Sequence, residues 1–586
     1  MPLSATRLAL VSVLGLPLLL PPVQAQQSVQ AQQPDEAVAA PAGSQEPVIQ
    51  QSQPQALPLA PDVKGERPRV NPKLVPPAAT QLPQPLEGLA APAPLALPVR
   101  PDQVTIKELR PLSLAQVETL AEVNNPNLKA IASQVDQAQS NLRAQIAQWY
   151  PTIDLDAGSA FPRFSAGSSR VTREVPRLNE DDGTPVQDAN GNVLTRRRSD
   201  TVNGDRWDAG VALSARWGLI DPRRNPTIAA ARDQFERAKY QYVIALRDLR
   251  LQAAQAYFDL QQADDQVRIG QESVRASLVS LRDSRARFQA GVATKLEVLE
   301  AETQLARDQQ LLTSALATQS VTRRALATLL DLPQTVTPTA QDPSRVLGVW
   351  QPSLQESIVA AYAFREELDQ IVLDISIANS QANAALADVQ PFLNIFTSLG
   401  GGWSDGDITS EEIKSRGNFD FSLGMGVNWR LFDGGAAAAQ SRRNRQLAEE
   451  NTFRFSQRRD AIRFDVEESF YELEKNNRNI TTTAREVISA RESLRLARLR
   501  FQAGVTTQRE VVDNQRDLTQ AEVRFSNAIT DYNKRLAELR RRTGLDQILA
   551  CPARTLPAVK PVGVSDIPVE PARLLPACQA ANPGAV

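Results

Sequence analysis

The stretch WDAGVALSARWGL at residues 207–219 puts Trp207, Ala209, Val211, Leu213, Ala215, Trp217 and Leu219 at odd positions, with Asp208, Gly210, Ala212, Ser214, Arg216 and Gly218 between them. FDFSLGMGVNWRL at 419–431 repeats the pattern: Phe419, Phe421, Leu423, Met425, Val427, Trp429 and Leu431 against Asp420, Ser422, Gly424, Gly426, Asn428 and Arg430. Period-two alternation of this length predicts two long β-strands, each with one apolar face and one small, polar or charged face. Ile153, Leu155 and Ala157 against Asp154, Asp156 and Gly158 carry the signal more weakly, as do Leu393, Ile395 and Leu399 against Asn394, Ser398 and Gly400. That makes four strands.

One uniformly apolar face fits a transmembrane barrel with lipid outside and water inside, since strands of about 9–11 residues already cross the hydrocarbon core. Trp207, Trp217, Trp403 and Trp429, with Trp149, fall at or near strand ends, where an interfacial aromatic belt sits. The competing expectation is a soluble sandwich whose apolar face covers a core. Four strands cannot close a barrel, and open edges in lipid leave backbone groups unpaired, so closure requires further copies. The polar stretches 165–206 and 404–418 are expected to be loops facing water. Arg216 and Arg430 would add positive charge to the lumen, or else pair with Asp208 or Asp420.

Around the strands proline disappears: none lies between 227 and 332 or between 392 and 550, and 436–503 has no glycine either. Rich in Ala, Leu, Gln, Arg and Glu, these regions predict helices over 113–149, 226–289, 293–331, 354–389, 436–502 and 506–543. The two longest would each measure about 95–100 Å at 1.5 Å per residue. Tunnels, stalks and coiled coils need helices of that length; compact cores do not.

The chain also repeats itself. Arg287-Phe288-Gln289-Ala290-Gly291-Val292 returns as Arg500-Phe501-Gln502-Ala503-Gly504-Val505, and Tyr150-Pro151 corresponds to Gln390-Pro391. Each half reads helix, strand, loop, strand, long helix, glycine turn, helix. Gly291 and Gly504 permit the left-handed turn that returns the chain antiparallel to itself.

With 65 Lys+Arg against 67 Asp+Glu in 586 residues, the net charge of -2 gives no case for a nucleic-acid partner. The chain has no histidine, which excludes serine-type triads and His-ligated zinc or haem. No cofactor or metal site and no enzymatic constellation is expected. Cys551 and Cys578 are too few for a metal site; they are either one disulfide in the tail or two spare thiols. Arg7, an apolar run over 8–20 and Val23-Gln24-Ala25 look like a secretory signal, 1–25, cleaved after Ala25. The run is broken by Pro17, Pro21 and Pro22 and falls short of the ~20 residues of a membrane span. Residues 26–110, rich in Pro, Gln and Ala, are expected to be disordered. The remaining units are a first repeat over 111–333, a linker over 334–352, a second repeat over 353–546 and a Pro-rich tail over 547–586.

Two tandem halves with paired strands and paired long helices about an Arg-Phe-Gln-Ala-Gly-Val turn resemble the TolC-like outer-membrane efflux family. Asn125-Pro126-Asn127-Leu128 and Trp149-Tyr150-Pro151 resemble that family's first helix and its entry into the first strand. The resemblance implies a mainly α fold with a β-barrel part: a homotrimer with a tunnel of long antiparallel helices in the periplasm and a 12-stranded barrel in outer-membrane lipid. It further implies a passive duct for drugs, toxins or proteins, in efflux or type I secretion, coupled to an inner-membrane transporter through a periplasmic adaptor, the membrane fusion protein. In the family, acidic residues six and nine positions after the second turn glycine narrow the periplasmic aperture; here these are Glu510 and Asp513, with Glu297 and Glu300 at the same offsets in the first half. Without the resemblance they read as solvated helix-surface acids. Phe501 and Thr506 stand where the family pattern has Tyr and Arg, which leaves Arg500 or Arg509 as candidates for the closing lock. The turn residues Gly291, Val292, Gly504 and Val505, with Phe288 and Phe501, would meet the adaptor; the two phenylalanines can equally pack the helical turn. The alternative to a duct is a non-conducting, envelope-spanning coiled-coil scaffold, which needs no lipid-facing strands.

Overall fold

The computed structural model describes residues 77–409, 411–545 and 548–550. The expected secretory signal, the segment up to residue 76, Cys551 and Cys578 lie outside the described residues.

The chain runs β1 (Glu108–Leu112), α1 (Leu114–Asn124), α2 (Pro126–Ile146), β2 (Thr152–Pro176), β3 (Thr195–Ile220), α3 (Arg224–Gln289), α4 (Lys295–Leu329), β4 (Val336–Ala340) and β5 (Gly348–Trp350). It continues with α5 (Leu354–Phe364), α6 (Glu366–Ala387), β6 (Phe392–Thr409), β7 (Glu411–Asn428), α7 (Ala436–Gln502), α8 (Gln508–Thr543) and β8 (Ile548–Ala550). The helix ends fall within a few residues of those expected. Two expected helices are each broken in two, at Asn125 and at Arg365.

The two breaks sit at matching places in the repeat but use different chemistry. At Asn125 the side-chain Oδ1 accepts from the backbone N–H groups of Asn127 (3.0 Å) and Leu128 (3.1 Å), while Pro126 occupies the first helical position, where its missing N–H costs nothing. Arg365 has no proline after it. Its backbone is extended, and its buried guanidinium is held by Glu367 at 2.9 Å and Asp465 at 3.0 Å.

Strands β2-β3-β6-β7 form one antiparallel sheet in that order, while β1 pairs with β4 in parallel and β5 with β8 antiparallel. The strands outrun expectation. Much of 165–206 and of 404–418 is paired strand, not loop, with β2–β3 pairing continuing to Pro176 opposite Thr195. The expected linker 334–352 holds β4 and β5, with Val336 and Trp350 buried. The described part of 26–110 departs from the expected disorder: Leu86 and Leu89 are buried on a 3₁₀ turn (Gln84–Leu89) against the core that contains Leu112, Val117 and Leu120 of the first repeat.

Two apolar cores lie where the helices are broken. The first joins α1, α3 and α4 around Leu120, Leu246, Phe258, Leu326 and Tyr257, whose hydroxyl donates to the carbonyl of Leu112 at 3.0 Å. The second joins α5, α7 and α8 around Trp350, Ile462, Ile480, Leu536 and Tyr532, whose hydroxyl donates to the carbonyl of Gly348 at 2.9 Å. Along α7 the buried positions Ile462, Val466, Ser469, Leu473, Asn476 and Ile480 step by four and three, the spacing of a coiled-coil seam. Among the described residues, no helix is long and apolar enough to cross a membrane.

Candidate functional site: the sheet wall and the helical tip

The sheet presents its apolar residues to the outside of the chain. Phe419, Phe421, Leu423, Met425 and Val427 on β7 are exposed, as are Val211 and Leu213 on β3 and Ile153 and Leu155 on β2. A sandwich would have buried this face, so the soluble alternative fails on these residues. The opposite face carries Ser214, Ser398, Ser422 and Asn394, with the Ser398 and Ser422 hydroxyls bonded across strands at 2.7 Å.

The tryptophans mark two levels. Near the helical end, Trp217 Nε1 donates to the carbonyl of Trp149 and Trp429 Nε1 to that of Val389, both at 3.0 Å. At the other level Trp403 lies opposite Ala209, and Trp207 packs against Phe164 with ring centroids 5.1 Å apart. The ten residue steps from Trp207 to Trp217 span about 33 Å of strand; at a tilt of about 40° this gives a band of roughly 25 Å, the height of a barrel's apolar belt.

One polar-face residue escaped the alternation rule. Phe396 lies opposite Gly424 and shares its face, and a Cβ at Gly424 would come within 2.6 Å of the Phe396 ring. Only glycine leaves room for the ring to lie flat there. Arg206 pairs with Asp208, so Asp208 is not reserved for Arg216.

Among the described residues, β2 pairs only with β3, and β7 only with β6. Both outer edges of the sheet therefore carry unpaired backbone within one chain, a state that lipid does not tolerate.

The helical tip is built on Gly291 (φ 76°) and Gly504 (φ 75°), both left-handed. After the first turn, Thr294 caps α4: its hydroxyl accepts from the backbone of Glu297 and the Glu297 carboxylate accepts from the backbone of Thr294, so Glu297 is committed to a capping box. Glu300 is half-buried on the next turn. After the second turn, Glu510 bridges its own hairpin, accepting from Arg500 at 2.9 Å and from the hydroxyl of Thr506. Asp513 pairs with Arg516 at 3.2 Å and lies 4.0 Å from Arg509. Glu510 and Asp513 thus each face guanidinium groups of their own chain.

The turn residues divide. Val292, Val505 and Phe288 are exposed. Phe501 is not: it is buried among Leu494, Ala497, Val511 and Leu518, and the Arg287 guanidinium of the other hairpin stacks 4.2 Å from its ring. Of the two readings, packing the turn is the one it follows, and it offers no docking face. Its place seven residues along from Leu494 and four from Ala497 was a seam signal available in the sequence. The Arg287 contact had no such signal.

A sequence model of the family described as outer membrane efflux protein matches residues 118–331 and 358–545. The chain is similar to outer membrane protein TolC of Vibrio cholerae serotype O1, at 23% identity over 327 residues, 55% of this chain and 66% of that protein. That match spans just under two thirds of the relative's length. In fold the chain is similar to CusC, with a TM-score of 0.57 and 18% identity, covering 83% of this chain and 99% of that one. It is also similar to the open state of the MtrE outer membrane channel of Neisseria gonorrhoeae, with a TM-score of 0.54 and 16% identity over 79% of this chain and 98% of that one.

Proposed function

Because the chain belongs to the outer membrane efflux protein family, whose place is the outer membrane, we propose that three copies pool their sheets into one twelve-stranded barrel and their hairpins into one continuous tunnel. The assembly is a passive exit duct, receiving drugs, toxins or proteins from an inner-membrane transporter through a periplasmic adaptor. The observation that carries this reading is the four-stranded sheet with one exposed apolar face and two unpaired edges. Such a sheet is stable in lipid only when β2 of one copy meets β7 of the next, and known barrels begin at about 8 strands.

The helices supply the second dimension: α3 and α7, at 66 and 67 residues, each reach about 100 Å. Val292, Val505 and Phe288 remain exposed at the tip as the apolar surface for the adaptor. Glu510, Asp513, Glu297 and Glu300 line the narrow end of the tunnel, where opening requires the Arg500–Glu510 bridge to let go. A scaffold without a pore has no use for the lipid-facing strands.

The test is purification in detergent followed by gel migration with and without heating, and single-channel recording. A heat-modifiable trimer that conducts is expected; a carbonate-extractable protein with no conductance refutes the duct.

A further inference from the structure

The hairpin β2–β3 continues where the rest of the sheet stops. The last β3 residue paired to β6 is Asp205, yet β2–β3 pairing runs without a bulge from Arg163 opposite Asp208 to Pro176 opposite Thr195. About ten residue pairs therefore stand beyond the Trp207–Phe164 level as a free two-stranded ribbon, roughly 33 Å long.

Because the register is unbroken, each ribbon residue can be assigned to a face. Trp207 and Phe164 are opposite one another on the apolar face, so odd positions of β3 and even positions of β2 continue it: Arg197, Glu174 and Arg170. The face continuous with the polar side of the sheet receives Arg173, Arg196, Arg198 and Asp200. On it, Arg173 lies directly opposite Arg198, and Arg196 is one step along. Like charges directly opposite each other on a sheet are destabilising, so folding alone gives no reason for the arrangement. Asp200 offsets only Arg198, at 2.9 Å; Arg173 and Arg196 have no ion-pair partner among the described residues, and all three arginines are exposed. On the other face Arg197 is matched by Glu174 at 3.4 Å.

We propose that the face bearing Arg173, Arg196 and Arg198 lines the outer mouth of the duct and binds phosphate- or carboxylate-bearing anions as they leave it. This rests on the three-copy duct proposed above. Three arginines less one aspartate leave two positive charges per copy on this face. Threefold symmetry gathers them around one opening, where walls of low dielectric focus the field and planar guanidinium groups offer paired donors to anionic oxygens.

The test compares the full-length trimer with R173Q/R196Q/R198Q, and with R170Q/R197Q on the other face as the control, in planar bilayers under a KCl gradient. Inorganic tripolyphosphate is then added on the barrel side as a blocker. In the triple variant the anion-to-cation permeability ratio should fall at least about two-fold and the tripolyphosphate block should be lost, at unchanged trimer yield. The control should keep both. An unchanged ratio and block in the triple variant, or an equal loss in the control, overturns the proposal while leaving the duct intact. Failure of the wild-type trimer to conduct at all overturns both.

Discussion

The hairpins α3–α4 and α7–α8 share a turn motif, a length and a left-handed glycine, yet their interiors differ in chemistry. Toward its tip the second is closed by Val487, Leu494, Ala497, Phe501, Val511, Leu518 and Ala521, a dry apolar seam. Over the corresponding stretch the first buries Ser273, Ser277, Ser284, Gln304 and Asp308 beside Leu281 and Ala301. Asp308, which stands where the second hairpin has Ala521, accepts from Ser277 Oγ and from Gln304 Nε2 at 3.0 Å. Polar bonds also join the hairpins: Ser273 to Thr519, Gln508 to Ser280, Lys534 to Asp259. A repeated turn thus specifies the backbone path, while the seam residues decide which hairpin is held by apolar packing and which by bonds that can be exchanged for water.

The sharpest way to break this contrast is at the paired phenylalanines. Phe501→Ala should destabilise the detergent-solubilised protein by about 3–5 kcal/mol, and Phe288→Ala, on an exposed side chain, by under about 1 kcal/mol. Thermal unfolding by circular dichroism reads both; equal losses would mean that the tip packs alike in the two halves. Next in size, Ala521→Asp should cost about 3 kcal/mol, since the dry seam offers the carboxylate no donor. The reverse exchange, Asp308→Ala with Ser277→Ala and Gln304→Leu, removes all three bonded partners together and should stay within about 1 kcal/mol of wild type in the same assay. A triple variant as damaged as Ala521→Asp would erase the distinction.

The breaks at Arg365 and Asn125 extend the contrast to the other end of the hairpins. Burial opposes ionisation of Glu367, but the guanidinium groups of Arg365 and Arg541 outweigh it and hold the carboxyl well below its usual range. Its ionised form therefore contributes stability at pH values above the ordinary glutamate range, and that contribution is lost as pH falls through and below that range. Glu367→Gln should lower stability by about 3 kcal/mol at pH 7, by leaving buried arginines short of a partner, and should flatten the acid limb of a melting-temperature profile from pH 7 to 3. An unchanged acid limb would remove Glu367 from the account. Asn125→Ala, which deletes a helix cap and the bond from Asn125 Nδ2 to the Leu329 carbonyl at 3.0 Å, should cost about 2 kcal/mol and leave the acid limb as it is.

Much of this architecture was legible in the chain. The strands were visible where one face meets lipid, because residues such as Val211 and Ser214 then belong to different solvents. The same strands became illegible beyond Trp207, where water bathes both faces and Arg196, Arg197 and Arg198 follow one another with no alternation to detect. Neither helix break was anticipated: Asn125-Pro126 carries a cap-and-proline signal inside what reads as one continuous helix, whereas the break at Arg365 has no local signal, because its cause is a set of ion pairs distant in sequence. Leu86 and Leu89 were lost in a Pro-rich stretch whose composition hides two well-placed apolar side chains. At the tip, the partners of Asp513, Arg509 and Arg516, share its helix at i−4 and i+3, a spacing the sequence displays, but the pairing of Glu510 with Arg500 depends on how α7 returns as α8.

The claim beneath all of this is that the sheet separates lipid from water. Spin labels placed one at a time from residue 208 to residue 216 in liposome-reconstituted protein test it most directly. Accessibility to oxygen should peak at the odd positions and accessibility to a water-soluble nickel chelate at the even ones, alternating at every step. Labels that all see the chelate, or that see neither, would contradict a strand with lipid on one side and an aqueous lumen on the other.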